Sequence, residues 1–433
     1  MIFSYAWWHE NVINHLSVMN VSVAVVLLMF TYSFTAAKSF SLNRFNQQKW
    51  MRDDVKVPSS VERVHVIILV HGWMGNSSEL RFLETTLNQL AQAHHDKDPS
   101  TCFVVHSAKA NDGNTMDGIA AGGGRVAAEV NGILADIQTN DKLQVSLSFV
   151  GNSLGGLYAR YALSEISALR EGTIRPSVFC TIATPHLGVS EHTFLPIPRL
   201  LEHFIARTMM GTGCDLFRIS NVIDRMTTER RFVEPLRKFS TRLAYINAHN
   251  TDFQVPTPTA GFLCDSTEIN HYRIPTSADM PHEVFRAHTA RRNEIEYPSM
   301  TKPISVQKMA GRLDEMGWMK VFCDVREHVL AVPLPPFPPF LVNTSQAQGN
   351  VIGDWHSSSD LLRLYGSQQI EQKRKLYMPF GHTVLVANAK SRLYEQWNSG
   401  GRPIMRQLAT ELLQFITSEQ TIVYPKLSSE KRQ

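Results

Sequence analysis

Short β-branched runs alternate along this chain with stretches of helical spacing. Residues 64–70 (VHVIILV) are almost continuously apolar, the pattern of a strand buried on both faces of a parallel sheet. Residues 80–94 read as a helix and 103–106 as a short strand. Residues 125–137 form a second helix, with Val126, Val130, Ile133 and Leu134 on one side. A strand at 145–150 runs into a helix at 156–169, and further strands follow at 178–183 and 243–247. This alternation predicts an α/β fold, a mostly parallel central sheet with helices on both faces. No internal repeat is visible, which excludes solenoids and propellers.

Three stretches break the rhythm. Residues 195–210 (LPIPRLLEHFIARTMM) place Leu200 with Phe204, and Leu201 with Ile205, at helical i,i+4 spacing, as in an apolar helix that closes over a cleft or packs on the core. Residues 265–303 are polar, with His271, His282, His288 and several prolines. The run 332–340 (VPLPPFPPF) is too rich in proline for a helix or a central strand and reads as an extended surface segment.

The first sixty residues differ in kind. Residues 17–37 carry no charge and are long enough to cross a bilayer as a helix. A cleaved signal peptide is the rival reading, with Thr35-Ala36-Ala37 as a cleavage site. Residues 1–16, however, lack the Lys or Arg that precedes the apolar core of such a peptide. Lys38, Arg44, Lys49 and Arg52 come afterwards, so the positive-inside tendency expects a single-pass anchor with the body in the cytosol. Cleavage would instead send the body into the secretory pathway or an organelle. Asn76-Ser77-Ser78 is a glycosylation sequon, and a glycan there would obstruct the site described next, which also favours the cytosol.

Composition narrows the classes. With 433 residues, 43% of them hydrophobic, the chain can bury one large domain with insertions, or two smaller ones. A net charge of +4, without a basic cluster interleaved with aromatics, gives no argument for nucleic acid. The five cysteines, Cys102, Cys180, Cys214, Cys264 and Cys323, are scattered without a C-x-x-C pair. They form neither a zinc site nor a disulfide framework, and Cys102, Cys180 and Cys323 read as buried thiols.

The chemistry concentrates at Gly151-Asn152-Ser153-Leu154-Gly155, a G-x-S-x-G set between a strand and a helix. A strand that turns abruptly into a helix holds its serine on a tight elbow, and a Cβ at the flanking glycines would strike neighbouring backbone. Ser153 is the candidate nucleophile, and the Leu154 N–H at the helix start is aimed at an oxyanion beside it. A plain glycine-rich turn is the alternative. Directly after the first strand comes His71-Gly72-Trp73-Met74-Gly75-Asn76. Trp73 or Met74 would supply a second oxyanion donor there, with His71 and Gly72 lining the substrate; a simple tight turn is the other reading.

A serine hydroxyl needs a histidine to take its proton and a carboxylate to orient that histidine. Asp252, in Asn250-Thr251-Asp252-Phe253-Gln254-Val255-Pro256, follows the 243–247 strand; Asp215, Asp265 and Asp324 compete with it. Of 17 histidines, His382 in Phe380-Gly381-His382-Thr383 has the best context, a glycine-containing turn late in the chain; His356 and His328 are its rivals.

Four blocks, VHVIILVHGWMGNSSEL, LSFVGNSLGGLYARYAL, FCTIATPHLGV and AYINAHNTDFQVPTPTA, together resemble the putative serine esterases, a family of the lipase-like α/β-hydrolase superfamily. Weaker similarity continues over 309–325 and 381–386, so the likeness covers most of 61–415. It implies an α/β-hydrolase fold with Ser153 as nucleophile, Asp252 as acid and His382 as base; separately, no metal or cofactor is expected. The block Thr184-Pro185-His186-Leu187-Gly188 then looks structural, shaping the floor beside the elbow. In two respects the chain departs from the family. Its candidate base follows a glycine instead of an alanine, and 326–377 looks like a loop-rich insertion.

The expected layout is a tail, anchor and basic linker over 1–60, a hydrolase domain over 61–420 with a lid-like insertion at about 188–240, and a tail over 421–433. The expected activity is hydrolysis of carboxylic esters through an acyl-enzyme, with lipid acyl esters as substrates and a membrane as partner. A thioesterase or acyltransferase would use the same triad, a protease has no charged specificity pocket to support it, and a scaffold that keeps the fold without catalysis is the rival of another class. Oligomeric state is not legible.

Overall fold

The apolar run that opens the body is strand β1 (Arg63–Val70), buried from Val64 to its end. The protein is described from a computed structural model, over residues 60–137, 143–190, 199–249, 251–252, 254–264, 270–274, 282–294, 303–333, 355–357, 375–378 and 380–418, with Met280, Tyr297 and Leu361. The expected anchor at 17–37 lies outside these residues. Among the described residues, no helix is long and apolar enough to cross a membrane.

The remaining strands are β2 (Thr101–Ser107), β3 (Gln144–Asn152), β4 (Arg175–Ile182), β5 (Thr241–Asn247), β6 (Asn270–Ile274), β7 (Glu283–Thr289), β8 (Met319–Cys323), β9 (Ala331–Pro333), β10 (Trp355–Ser357) and β11 (Lys375–Tyr377). Nine of them form one sheet in the order β10-β6-β7-β8-β5-β4-β3-β1-β2. From β8 to β2 every pairing is parallel. The β8-β7-β6-β10 edge is antiparallel, and β9 pairs with β11 apart from the sheet. Strand β8 is fully buried and holds Cys323, whose neighbourhood reads as strand-like; the antiparallel edge was not expected, because 265–303 is polar and β7 mixes buried with half-buried positions.

Alternate strand residues serve two layers. Ile67, Leu69, Val150, Cys180, Ile182, Leu243, Tyr245 and Val321 pack with Leu83 and Leu87 of helix α1 (Arg81–His95) and with Met405, Leu408 and Leu412 of the long helix Arg402–Thr417. On the other face lie helix α2 (Ile119–Ile137) and helix α3 (Leu154–Ala162). They approach so closely that a Cβ at Gly122 would fall 2.2 Å from the Tyr158 ring. Cys180 and Cys323 are buried as expected, whereas Cys102 is only partly so.

This arrangement positions the site. Strand β1 is flanked by β2 and β3, and the helices that follow β1 and β3 leave to opposite faces. Their connecting loops therefore part, opening a crevice at the carboxyl ends of the two strands.

The segment expected as a lid is helical at Arg199–Thr208, Met210–Leu216, Val222–Thr228 and Arg230–Lys238. Its later part is fixed to the body: Thr212 Oγ1 donates to the Thr115 carbonyl at 2.7 Å, and Phe232 packs on Tyr161 at 5.1 Å. Within the first of these helices Phe204 stands 67% exposed, so this ring is not core.

Candidate active site

Ser153 occupies the turn between β3 and α3 with φ 54° and ψ −127°, a strained conformation for a residue with a side chain. The surroundings leave it no alternative. The Ser153 N–H donates to the Ile182 carbonyl at 2.8 Å, which ties the elbow to β4. A Cβ on Gly155 would lie 2.2 Å from the Val70 carbonyl oxygen, and one on Gly151 would lie 2.4 Å from Gly156 Cα. The amide of Leu154, in the first turn of α3, has no acceptor within its own helix and points out of the helix start.

The loop after β1 presses against this elbow, since a Cβ on Gly72 would sit 2.8 Å from Ser153 Cβ. The loop is stitched in place by several bonds. Met74 has φ 53° and donates its N–H to Thr115 Oγ1 at 3.0 Å. Ser77 donates its N–H and hydroxyl to Asp112 at 2.8 and 2.9 Å. The Met74 amide is thus already engaged, which leaves the Trp73 amide of the two expected oxyanion donors. His71 and Gly72, expected to line the substrate, also have partners inside the protein. His71 Nε2 contacts Asp112 Oδ1 at 3.1 Å, and the Gly72 N–H donates to Glu79 Oε1 at 2.9 Å. Both residues are engaged within the protein and shape the loop.

Glu79 was not anticipated. It is buried, and the same Oε1 also accepts a hydrogen bond from Asn152 Nδ2 at 2.6 Å, so one carboxylate spans the loop after β1 and the elbow strand. Its sequence context, an acidic residue just ahead of a helix, signals only a favourable macrodipole position.

Asp252 and His382 come together. His382 Nδ1 lies 2.8 Å from Asp252 Oδ2, while Asp252 Oδ1 accepts the N–H groups of Gln254 and Val255 at 2.8 Å each. The carboxylate is thus fixed at both oxygens and asks for an Nδ1–H tautomer, leaving Nε2 as the basic nitrogen. Burial alone would lower the His382 pKa; the Asp252 charge, its hydrogen bond and the charge of Glu79 outweigh that and raise it.

The histidine is docked on the acid's own loop. Asp252 and Phe380 form an antiparallel bridge, and the Gly381 N–H donates to the Thr251 carbonyl at 2.8 Å. A Cβ at position 381 would fall 2.4 Å from Thr251 Oγ1, which explains a glycine where the resembling family has alanine.

Among the described residues, no hydrogen bond closes the gap between the Ser153 hydroxyl and the His382 ring. Such links are commonly loose before substrate binds. Glu79 is bonded to Asn152, the residue before Ser153, and its charge adds to that of Asp252 in raising the His382 pKa.

The rivals have other duties. Asp215 accepts from the Ile119 N–H at 2.6 Å and from the Ser220 hydroxyl at 2.5 Å. Asp324 holds Arg326, His328 packs on His282, His356 belongs to β10, and Asp265 lies outside the described residues. His186 is fully buried between Phe262 and Trp318, and its pKa is held well below the usual value by burial and by Arg160 and Lys320. Its packing is that of a core side chain.

A parallel sheet whose strand order reverses at β1, with a serine elbow after the next central strand and an acid and a histidine returning on later loops, has the α/β-hydrolase fold. Within it, residues 60–265, just under half of the chain, match the family described as "Putative serine esterase (DUF676)". A protein of Saccharomyces cerevisiae named "Putative lipase ROG1" is 27% identical over 233 residues, which is 52% of this chain and 32% of that protein. One of Schizosaccharomyces pombe, "Putative lipase C4A8.10", is 26% identical over 215 residues, 47% of this chain and 26% of the relative. The match thus spans about a third or less of these relatives' own length. Among solved structures, the Bacillus licheniformis lipase BlEst2 aligns over 45% of this chain and 38% of its own, with 17% identity and a TM-score of 0.30. That score is too low to add to the strand order.

Proposed function

We propose that the chain is a serine esterase in which Ser153, His382 and Asp252 act as nucleophile, general base and orienting acid on carboxylic esters. The observation that carries this reading is the buried Asp252–His382 pair at 2.8 Å, on the loops where a serine elbow of this fold needs it. Ser153 Oγ attacks the ester carbonyl while His382 Nε2 takes its proton. The oxyanion is held by the N–H groups of Leu154 and Trp73. His382 then protonates the departing alcohol, and water releases the acyl group from Ser153 by the same steps in reverse order.

Lipid acyl esters are the proposed substrate class. The reading is supported by two relatives named as lipases, by the exposed Phe204 on a helix expected to act as a lid, and by the uncharged span at 17–37. With that span as a membrane anchor and the body on the cytosolic side, the site would meet its substrate at a bilayer surface. Protease protection of the intact membrane-bound protein checks the sidedness.

The decisive test is labelling with a fluorophosphonate probe. Wild type should label and Ser153→Ala should not; a folded wild type that stays unlabelled would favour a non-catalytic scaffold. Esters of short and long acyl chains, compared on the same pair of proteins, then test the lipid assignment. A preference for soluble short esters over micellar long ones would remove it.

A further inference from the structure

We infer that Glu79 is a positioning residue of this site, locking the oxyanion loop to the serine elbow and presenting His382 with a second negative charge beside that of Asp252. The inference rests on the triad reading above and deepens it. Its basis is a convergence of contacts on one buried side chain. Oε1 accepts from the Gly72 N–H at 2.9 Å and from Asn152 Nδ2 at 2.6 Å, so it grips the residue packed on Ser153 and the residue preceding Ser153. The other oxygen fills the space above Gly75, where a Cβ would come within 2.2 Å of it.

The backbone of Glu79 adds a third attachment. Its carbonyl accepts the Ala389 N–H at 3.0 Å, joining this loop to the chain that leaves the His382 helix, Gly381–Leu385. One residue therefore connects the oxyanion loop, the nucleophile strand and the histidine segment.

The electrostatic role follows from the same placement. The elements around the His382 ring carry Asp252 after β5, Glu79 after β1, and Arg326, Glu327 and His328 on the short turn beyond β8. Of these, Asp252 and Glu79 act on the ring, and Arg326 is occupied by Asp324. When Ser153 gives up its proton, the imidazolium that forms is stabilised by both carboxylates. The charge of Glu79 also acts on His71, which contacts Asp112 at 3.1 Å.

The charge and the grip can be separated by two substitutions in the full chain. Glu79→Gln keeps an oxygen for Gly72 and Asn152 and removes the charge. Glu79→Asp keeps the charge and shortens the reach. The readout is the His382 ring pKa, measured by NMR on protein with labelled histidine, together with the pH profile of kcat/KM. In Glu79→Gln the ring pKa should fall by about half a unit or more, and the acid limb of kcat/KM should move to lower pH by the same amount. In Glu79→Asp the ring pKa should stay near wild type while kcat drops about tenfold or more. A ring pKa unchanged in Glu79→Gln, or shifted equally in both variants, overturns the inference. Because NMR reads the ring without turnover, failure here is distinct from failure of the triad, which the fluorophosphonate test of wild type reports.

Discussion

Asp252 and His382 stand 130 residues apart in the chain and meet through a single 2.8 Å contact between Oδ2 and Nδ1. An asparagine at 252 would keep the shape and could present an amide N–H to the ring, stabilising the wrong tautomer. We therefore expect Asp252→Asn to lower kcat on the order of 10⁴-fold with little change in KM. Steady-state kinetics on the ester that wild type hydrolyses best would decide it, and a loss below tenfold would remove Asp252 from the role.

The pH dependence has a definite sign. A general base must be neutral, and the His382 pKa is raised above its usual 6.5 by Asp252 and Glu79 despite burial. The acid limb of kcat/KM should therefore have its midpoint above 6.5. Stability runs the opposite way. A histidine whose pKa rises on folding contributes stability that is complete below its unfolded pKa and fades as pH climbs through the folded value. Denaturant melts across that window should show His382→Gln losing the corresponding slope; identical slopes in both proteins would contradict the assignment.

Two glycines give a contrast in stability. A Cβ at Gly155 would meet the Val70 and His71 carbonyl oxygens at 2.2 and 2.5 Å, backbone atoms that cannot step aside cheaply. Gly155→Ala should cost about 1–3 kcal/mol or more. In helix Val306–Asp314, a Cβ at Gly311 meets nothing within 4 Å. Gly311→Ala should gain about 0.5–1 kcal/mol by restricting the unfolded chain. Urea midpoints of the two variants, measured side by side, check both signs.

Thr115 tests how the oxyanion loop is held. Its hydroxyl accepts the Met74 N–H at 3.0 Å, and its side chain is buried. Thr115→Val conserves volume and leaves that amide without its acceptor, for a stability loss of about 1–3 kcal/mol. Turnover should fall along with it, as the Trp73 amide loses its fixed direction. Full activity in a destabilised Thr115→Val would show that the loop's anchoring and its chemistry are independent.

The parallel half of the sheet was legible because its strands are buried on both faces, so 64–70, 145–150, 178–183 and 243–247 read as short, mostly apolar runs. Strand β7 was not legible. It carries Glu283, Arg286 and His288 at an antiparallel edge, where Arg286 is neutralised by Glu283 and Glu411, a partnership no local pattern reveals. The elbow was readable because its chemistry and its steric demands lie within five consecutive residues. Asp252 and His382 could be placed only by loop position and resemblance, since their pairing is entirely tertiary. Glu79 escaped altogether, because its meaning comes from Asn152 and Gly72, which reach it through the fold.

The bridge between Asp252 and Phe380 gives the returning chain a landing place independent of the route it took. The imidazole is thereby held by contacts local to its own segment, the Asp252–Phe380 bridge and the Gly381 N–H on the Thr251 carbonyl. For protein engineering, the two short segments that meet there are the ones to leave untouched when the reactive centre is to be preserved.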